Sequence, residues 1–161
     1  MQELHPVQWA VRPLKKYAAF TGRAPRAEFW WFYLGTIVIG FGVDFLDKIA
    51  GDSGALSSMT NLALLIPWIS VTVRRLHDTD RSGWWVLTLL LVFVAAIAMT
   101  AFGYMRYNGT GAAFGGGILL ILVMLAVGVT MFVFMVLPGT EGPNRYGDDP
   151  YGPDSLEEVF A

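Results

Sequence analysis

The residue types best suited to chemistry are gathered in one stretch, Arg74 to Trp85, with the sequence RRLHDTDRSGWW. It holds Arg74, Arg75 and Arg81, one of the chain's two histidines, two aspartates and the Trp84-Trp85 pair. His77 with Asp78 and Asp80 has the composition of an acid–base or metal site, in which imidazole and carboxylate share a proton or a cation. Nothing in the sequence completes such a site. No HExxH, nucleophile elbow or Walker lysine is present, and the other histidine, His5, lies in a terminus expected to be mobile. The chain has no cysteine, which excludes disulfides, thiolate metal sites and cysteine nucleophiles. No catalytic residue, metal or cofactor is therefore expected. A membrane enzyme using His77 and Asp78, or a small-molecule transporter, stands as an alternative. The arginines suggest a different chemistry, since forked guanidinium groups pair with carboxylates and phosphates.

The elements that must hold this stretch are apolar. Of 161 residues, 55% are hydrophobic and 15% charged, against about 25% charged in an ordinary soluble domain. That balance leaves too little polar surface for a soluble fold and points to an integral membrane protein. Four apolar runs are expected to be transmembrane helices, over about residues 29–46, 56–73, 84–101 and 118–137. The shortest of these, at 1.5 Å rise per residue, covers about 27 Å, just enough for a hydrocarbon core. Pro67 is expected to kink the second run, and the glycine-rich stretch 103–117 is expected to be a flexible connector rather than a phosphate loop. Asp44, near the far end of the first run, is expected to be a solvated or snorkelling carboxylate.

The fold class is thus an all-α integral membrane protein: four transmembrane helices preceded by an N-terminal interfacial segment. Residues 1–28 form a basic cytoplasmic or interfacial arm, 29–137 the membrane domain, and 138–161 an acidic cytoplasmic tail. In the arm, Trp9, Leu14, Tyr17, Ala18 and Phe20 form a short apolar face beside Arg12, Lys15 and Lys16, as a segment lying among headgroups would, although Pro13 limits any single helix there. No cleavable leader is expected, because residues 1–28 lack an uninterrupted apolar core. Placing both termini and residues 74–83 on one side collects Arg12, Lys15, Lys16, Arg23, Arg26, Arg74, Arg75, Arg81 and Arg145, and leaves Lys48 and Arg106 on the other. The positive-inside rule makes the first side cytoplasmic, N-in and C-in. Trp30, Trp31, Trp84 and Trp85 then serve as interfacial anchors.

Three polar blocks share that face: GRAPRAEFWW, RRLHDTDRSGWW and LPGTEGPNRYGDDPYGP. They define a candidate polar joint or headgroup-binding site of Arg23, Arg26, Glu28, Arg74, Arg75, His77, Asp78, Asp80, Arg81, Asn144, Arg145 and Tyr146. Glu28 is a partner for Arg74 or Arg75, and if the second helix continues, Arg74, His77, Asp78 and Arg81 fall on one side. Asp80 or Ser82 is placed to cap the third span. Two uses of these residues compete. In one, the charges pair into a structural lock. In the other, the arginines receive an anionic lipid headgroup or the acidic segment of a cytoplasmic partner. Return of Asn144 and Arg145 onto His77 and Arg74 with close pairing favours the first, and an enclosed pocket favours the second. Expected partners are membrane lipids, anionic ones among them, with a second copy or another membrane protein as a further possibility. Nucleic acid is not expected.

The blocks FTGRAPRAEFWWFYL, RRLHDTDRSGWW and LPGTEGPNRYGDDP, in this order and hydrophobic spacing, resemble domain-of-unknown-function family 805, the YhaH-like proteins. The resemblance covers about Trp9 to Pro150. It implies a small multi-helix protein of the bacterial inner membrane and assigns no catalytic residues. The glycine-rich 103–117 departs from the family pattern, and the residues after Pro150 lie outside it.

Overall fold

The structure, a computed structural model, describes residues 5–51, 54–107 and 114–151, with side chains described except at 104–119. Among the described residues there are five helices: α1 (Pro6–Lys15), α2 (Arg26–Ile49), α3 (Ala55–Asp78), α4 (Trp84–Tyr107) and α5 (Phe114–Val136). Three are long and apolar enough to cross a membrane: α2, α3, and α4 over Trp84–Gly103. The described apolar part of α5, Leu120–Val136, is shorter. The chain is therefore an all-α, multi-pass membrane protein.

The helices overrun the expected apolar runs. Polar residues at both ends of α2, and Arg74 to Asp78 at the end of α3, continue the helical ladder, which satisfies their backbone groups internally. Helix α4 continues to Tyr107 and α5 begins at Phe114, so the stretch expected to be a connector is helical at both ends. Residues 108–113 of that connector lie outside the described residues, as do Asp52 and the acidic tail from 152.

Two compact units make up the chain. The first, Met1–Ser82 with Pro138–Ala161, contains α1, α2, α3 and the segment after α5. Its outer surface is apolar: Phe41 is 74% exposed, and Phe45, Met59 and Leu62 are also exposed. Its interior is largely polar, with Glu28, Ser70, Arg74, Arg75 and Asp78 buried. The second unit, Gly83–Leu137, contains α4 and α5 packed on each other, with Ala96, Met131 and Met135 buried and Trp85 edge-on to Phe134 at 5.4 Å.

Helix α1 packs against α2 and α3. Two expectations change here. Pro13 does not end the helix; it sits buried inside α1, at the cost of the hydrogen bond that an N–H there would have given the Trp9 carbonyl. His5 is not in a loose end: its ring accepts from the Val7 amide, and the Gln8 side chain returns to the His5 amide as a capping box. Beyond α1, the Tyr17 hydroxyl donates to the Ala63 carbonyl at 2.5 Å. Pro67 lies four residues after Ala63 inside α3 and has no N–H, so it leaves that carbonyl without its helical donor. Tyr17 supplies the replacement from another segment, as a break within lipid requires.

The α2–α3 hairpin is closed at its far end by Asp47, which is buried at 3% exposure. Its carboxylate accepts from the amides of Leu56 (3.1 Å) and Ser57 (2.8 Å) and from Ser57 Oγ (2.6 Å). Gly54, the N-cap of α3, has no side chain to do this, so the cap comes from the preceding helix. Asp44 is exposed, as expected, and takes a hydrogen bond from Ser57 Oγ at 2.7 Å.

Candidate functional site

The other end of the hairpin is a buried joint made from the start of α2, the end of α3 and residues 138–149. Glu28 lies in the first turn of α2, where a carboxylate suits the helix dipole. Its Oε1 accepts from Arg74 Nη1 at 2.6 Å, and its Oε2 faces Arg12 Nε of α1 at 3.5 Å. Glu28 and Arg74 are fully buried. Of the two partners that the sequence allowed for Glu28, the structure pairs it with Arg74.

Arg75 turns instead to Asp78, one helical turn on, and donates from Nη1 to Oδ2. The same carboxylate receives Arg23, whose Nε donates to Oδ1 at 3.0 Å. Arg23 also donates from Nη1 to the Gly142 carbonyl (2.6 Å) and from Nη2 to the Thr140 carbonyl (2.5 Å). One guanidinium thus ties the loop before α2, the end of α3 and the C-terminal segment together. The Thr140 amide donates to the Asp78 carbonyl at 2.8 Å, and the Ala24 amide to the Arg74 carbonyl at 3.0 Å. Gly139 packs directly on the Asp78 carboxylate, and a Cβ there would overlap it.

His77, Asp78 and Asp80 do not converge. His77 Nδ1 lies 3.1 Å from the Gly22 carbonyl, which can only accept, so Nδ1 carries the proton. Gly22 offers that carbonyl from a positive φ of 82°, a conformation that glycine adopts without strain. The His77 ring stacks on Tyr146, centroids 3.9 Å apart and planes 2° from parallel. Asp80 adopts a left-handed conformation (φ 55°) outside the helix and pairs with Arg145 at 3.0 Å. Because α3 ends at Asp78, Arg81 does not extend its face; its Nη1 donates to the Thr79 carbonyl at 3.1 Å. Among the described residues no three His, Asp or Glu side chains are grouped to hold a metal.

The C-terminal segment returns to α3 through a tight turn. The Asn144 and Gly147 amides and carbonyls bond reciprocally, and the Asn144 side chain accepts from the Tyr146 amide. Asn144 Nδ2 then donates to the His77 carbonyl at 2.9 Å. Asn144 and Tyr146 therefore meet His77, while Arg145 goes to Asp80 rather than to Arg74. Arg26 is exposed at the start of α2. Trp30 packs edge-on against Phe29 and Tyr33, Trp31 is 38% exposed, and Trp84 in the second unit is 74% exposed. Sequence reasoning missed Arg12 as a partner of Glu28, and Thr140 and Gly139 as the backbone cradle of Asp78. A basic residue at the inner edge of an amphipathic arm was the available signal for Arg12.

These features define a class: a multi-pass helical membrane protein that is apolar outside and carries its ion pairs inside, at one end of a hairpin. The chain belongs to the DUF805 family, described as a protein of unknown function, with residues 17–148 matched. It is 35% identical over 149 residues to the inner membrane protein YhaH of Escherichia coli strain K12, covering 89% of this chain and 97% of that one. Inner membrane protein YhaI of the same strain is 34% identical over 145 residues, covering 89% and 96%. The uncharacterized protein YiiR is 32% identical over 136 residues, covering 81% and 85%. No solved structure matches. The resemblance carried by the three polar blocks holds, and the protein is a multi-pass protein of the bacterial inner membrane.

Proposed function

We propose that the protein is a non-enzymatic structural or interaction component of the inner membrane, with four spans and both termini in the cytoplasm. Its polar blocks act as a lock on the cytoplasmic end of the α2–α3 hairpin. The observation that carries this is the commitment of the buried charges: Glu28 to Arg74, and Asp78 to both Arg23 and Arg75. An anionic headgroup held by the same arginines would have to displace carboxylates already in contact, which favours the lock. The divergence of His77, Asp78 and Asp80 likewise favours a binding or structural role over catalysis. Helix α1 would lie at the interface with Val7, Val11 and Leu14 turned to lipid and Lys15 and Lys16 exposed to headgroups.

Thermal unfolding of the purified protein in detergent tests the lock. Glu28→Leu alone leaves Arg74 buried without its carboxylate and should cost about 3–5 kcal/mol. Adding Arg74→Met to Glu28→Leu removes both charges and should recover most of that loss, because a buried pair can be replaced by apolar groups of similar volume. Singles that leave the midpoint unchanged, or a double variant no better than Glu28→Leu, would defeat the proposal.

A further inference from the structure

Beside the joint lies a cleft of about 380 Å³, within the range of small-ligand sites. Arg23, Arg26, Asp78, Glu141, Asp149 and Tyr151 are among its lining residues. Two guanidinium groups therefore face three carboxylates, so a purely anionic ligand meets a lining of net negative charge. The inner charges are held in place by one another. Arg23 and Asp78 are paired, and Asp149 accepts from the amides of Gly142 (3.0 Å) and Tyr151 (2.9 Å), which braces the loop that forms the wall. The exposed charges of the lining are of opposite sign: Arg26 on α2 and Glu141 on the C-terminal segment.

The cleft lies where α2 begins and α3 ends, the depth at which lipid headgroups sit. From Arg26 the same face of α2 continues through Trp30, Tyr33, Ile37 and Phe41, at helical spacing. Trp30 is half-buried, Tyr33 is 42%, Ile37 38% and Phe41 74% exposed. An apolar stripe thus leads from the mouth of a mixed-charge cleft into the membrane.

We infer that this cleft holds the headgroup of a phospholipid carrying both a phosphodiester and a primary ammonium. The phosphate sits on Arg26, the ammonium on Glu141, and an acyl chain lies along the α2 stripe. A guanidinium forks onto phosphate oxygens, and an ammonium brings three donors to carboxylate acceptors. The lock forms the inner wall of the cleft, so the site rests on it, but Arg26 and Glu141 lie outside the lock.

Native mass spectrometry of the full-length protein, offered equal amounts of phosphatidylethanolamine, phosphatidylcholine and phosphatidylglycerol, tests the site. Phosphatidylethanolamine adducts should exceed the other two by about tenfold, the value of one charge-assisted hydrogen bond set. Glu141→Gln should erase the preference over phosphatidylcholine, and Arg26→Gln should weaken retention of all three lipids. The lock is decided separately, by the unfolding midpoints of Glu28→Leu and of the Glu28→Leu/Arg74→Met double variant, so its failure and failure of the lipid site are distinguishable. Soluble O-phosphoethanolamine should fail to displace the lipid at equal concentration, because it lacks the chain. Equal retention of the three lipids, a preference for phosphatidylglycerol, an unchanged preference in Glu141→Gln, or full displacement by the soluble headgroup would each overturn the inference. The wild-type ratio decides even if a variant fails to fold.

Discussion

The two ends of the α2–α3 hairpin solve one problem in opposite ways. At the far end, Asp47 satisfies two backbone amides and a hydroxyl that lie nine and ten residues on. At the joint, Glu28 and Asp78 satisfy guanidinium groups from other segments, Arg74 lying 46 residues from Glu28 and Arg23 lying 55 from Asp78. The far end is a local cap and needs only the turn to form. The joint needs three separated stretches to arrive together, and it leaves buried charges exposed to the low dielectric if any one is missing. Damage to the cap should therefore stay local, while damage to the joint should spread through the first unit.

The strongest test of that contrast is Asp78→Ala. It removes the counter-charge of both Arg23 and Arg75 and should cost at least about 3–5 kcal/mol, seen as loss of folded protein in detergent or a large drop in unfolding midpoint. Gly139→Ala should act in the same direction without touching a charge, because its Cβ would force the Asp78 carboxylate off its partners. Asp78→Ala protein with an unchanged midpoint would mean that the pairs are incidental.

How much of this was legible in the sequence follows the same division. The apolar runs and the three polar blocks could be read directly, because hydrophobicity and charge are properties of residue type. The Arg75–Asp78 pair follows from helical spacing once the second helix is allowed to continue. The choice of Arg74 for Glu28 was left open, because it depends on how α2 and α3 are rotated against each other. Arg81 was placed on the face of α3, but the left-handed Asp80 ends the helix before it. Asp47 was passed over because its partners are backbone amides, which no residue letter announces. Tyr17 was placed on the apolar face of the arm, but its hydrogen bond could not be read for the same reason: its partner is a carbonyl freed by a proline in another helix.

Between the two ends, Tyr17 offers an intermediate case, a long-range contact that satisfies a backbone group. Tyr17→Phe leaves the Ala63 carbonyl without a donor in lipid and should cost about 1–3 kcal/mol. Pro67→Ala restores the missing helical N–H, so in that background Tyr17→Phe should cost close to nothing. Equal effects of Tyr17→Phe with and without Pro67 would show that the hydroxyl is not standing in for the lost amide.

At the far end, Asp47→Ala should speed amide exchange at Leu56 and Ser57 and leave protection at Thr72 and Leu76 unchanged. Spread of faster exchange along the whole of α3 would erase the distinction between a local cap and a long-range joint. Asp47→Asn keeps an oxygen that can accept and should retain part of the protection.

The smallest effect belongs to an ion pair of the joint that faces water. Arg145 and Asp80 meet at 3.0 Å, but their side chains are 60% and 46% exposed. Solvent and salt screen such a pair, and Arg145→Ala should cost no more than about 1 kcal/mol. Arg145 also donates to the Asp80 carbonyl at 2.6 Å and lies over the Tyr146 ring at 4.9 Å, the ring that stacks on His77. If the loss comes from screened charge, Arg145→Lys should behave like the parent protein and the difference should fade at high salt. If it comes from the fork and the stack, Arg145→Lys should be as weak as Arg145→Ala at any salt concentration, because an ammonium has neither the planar face nor the paired donors of a guanidinium. The salt series on those two variants therefore separates charge from shape at the edge of the joint.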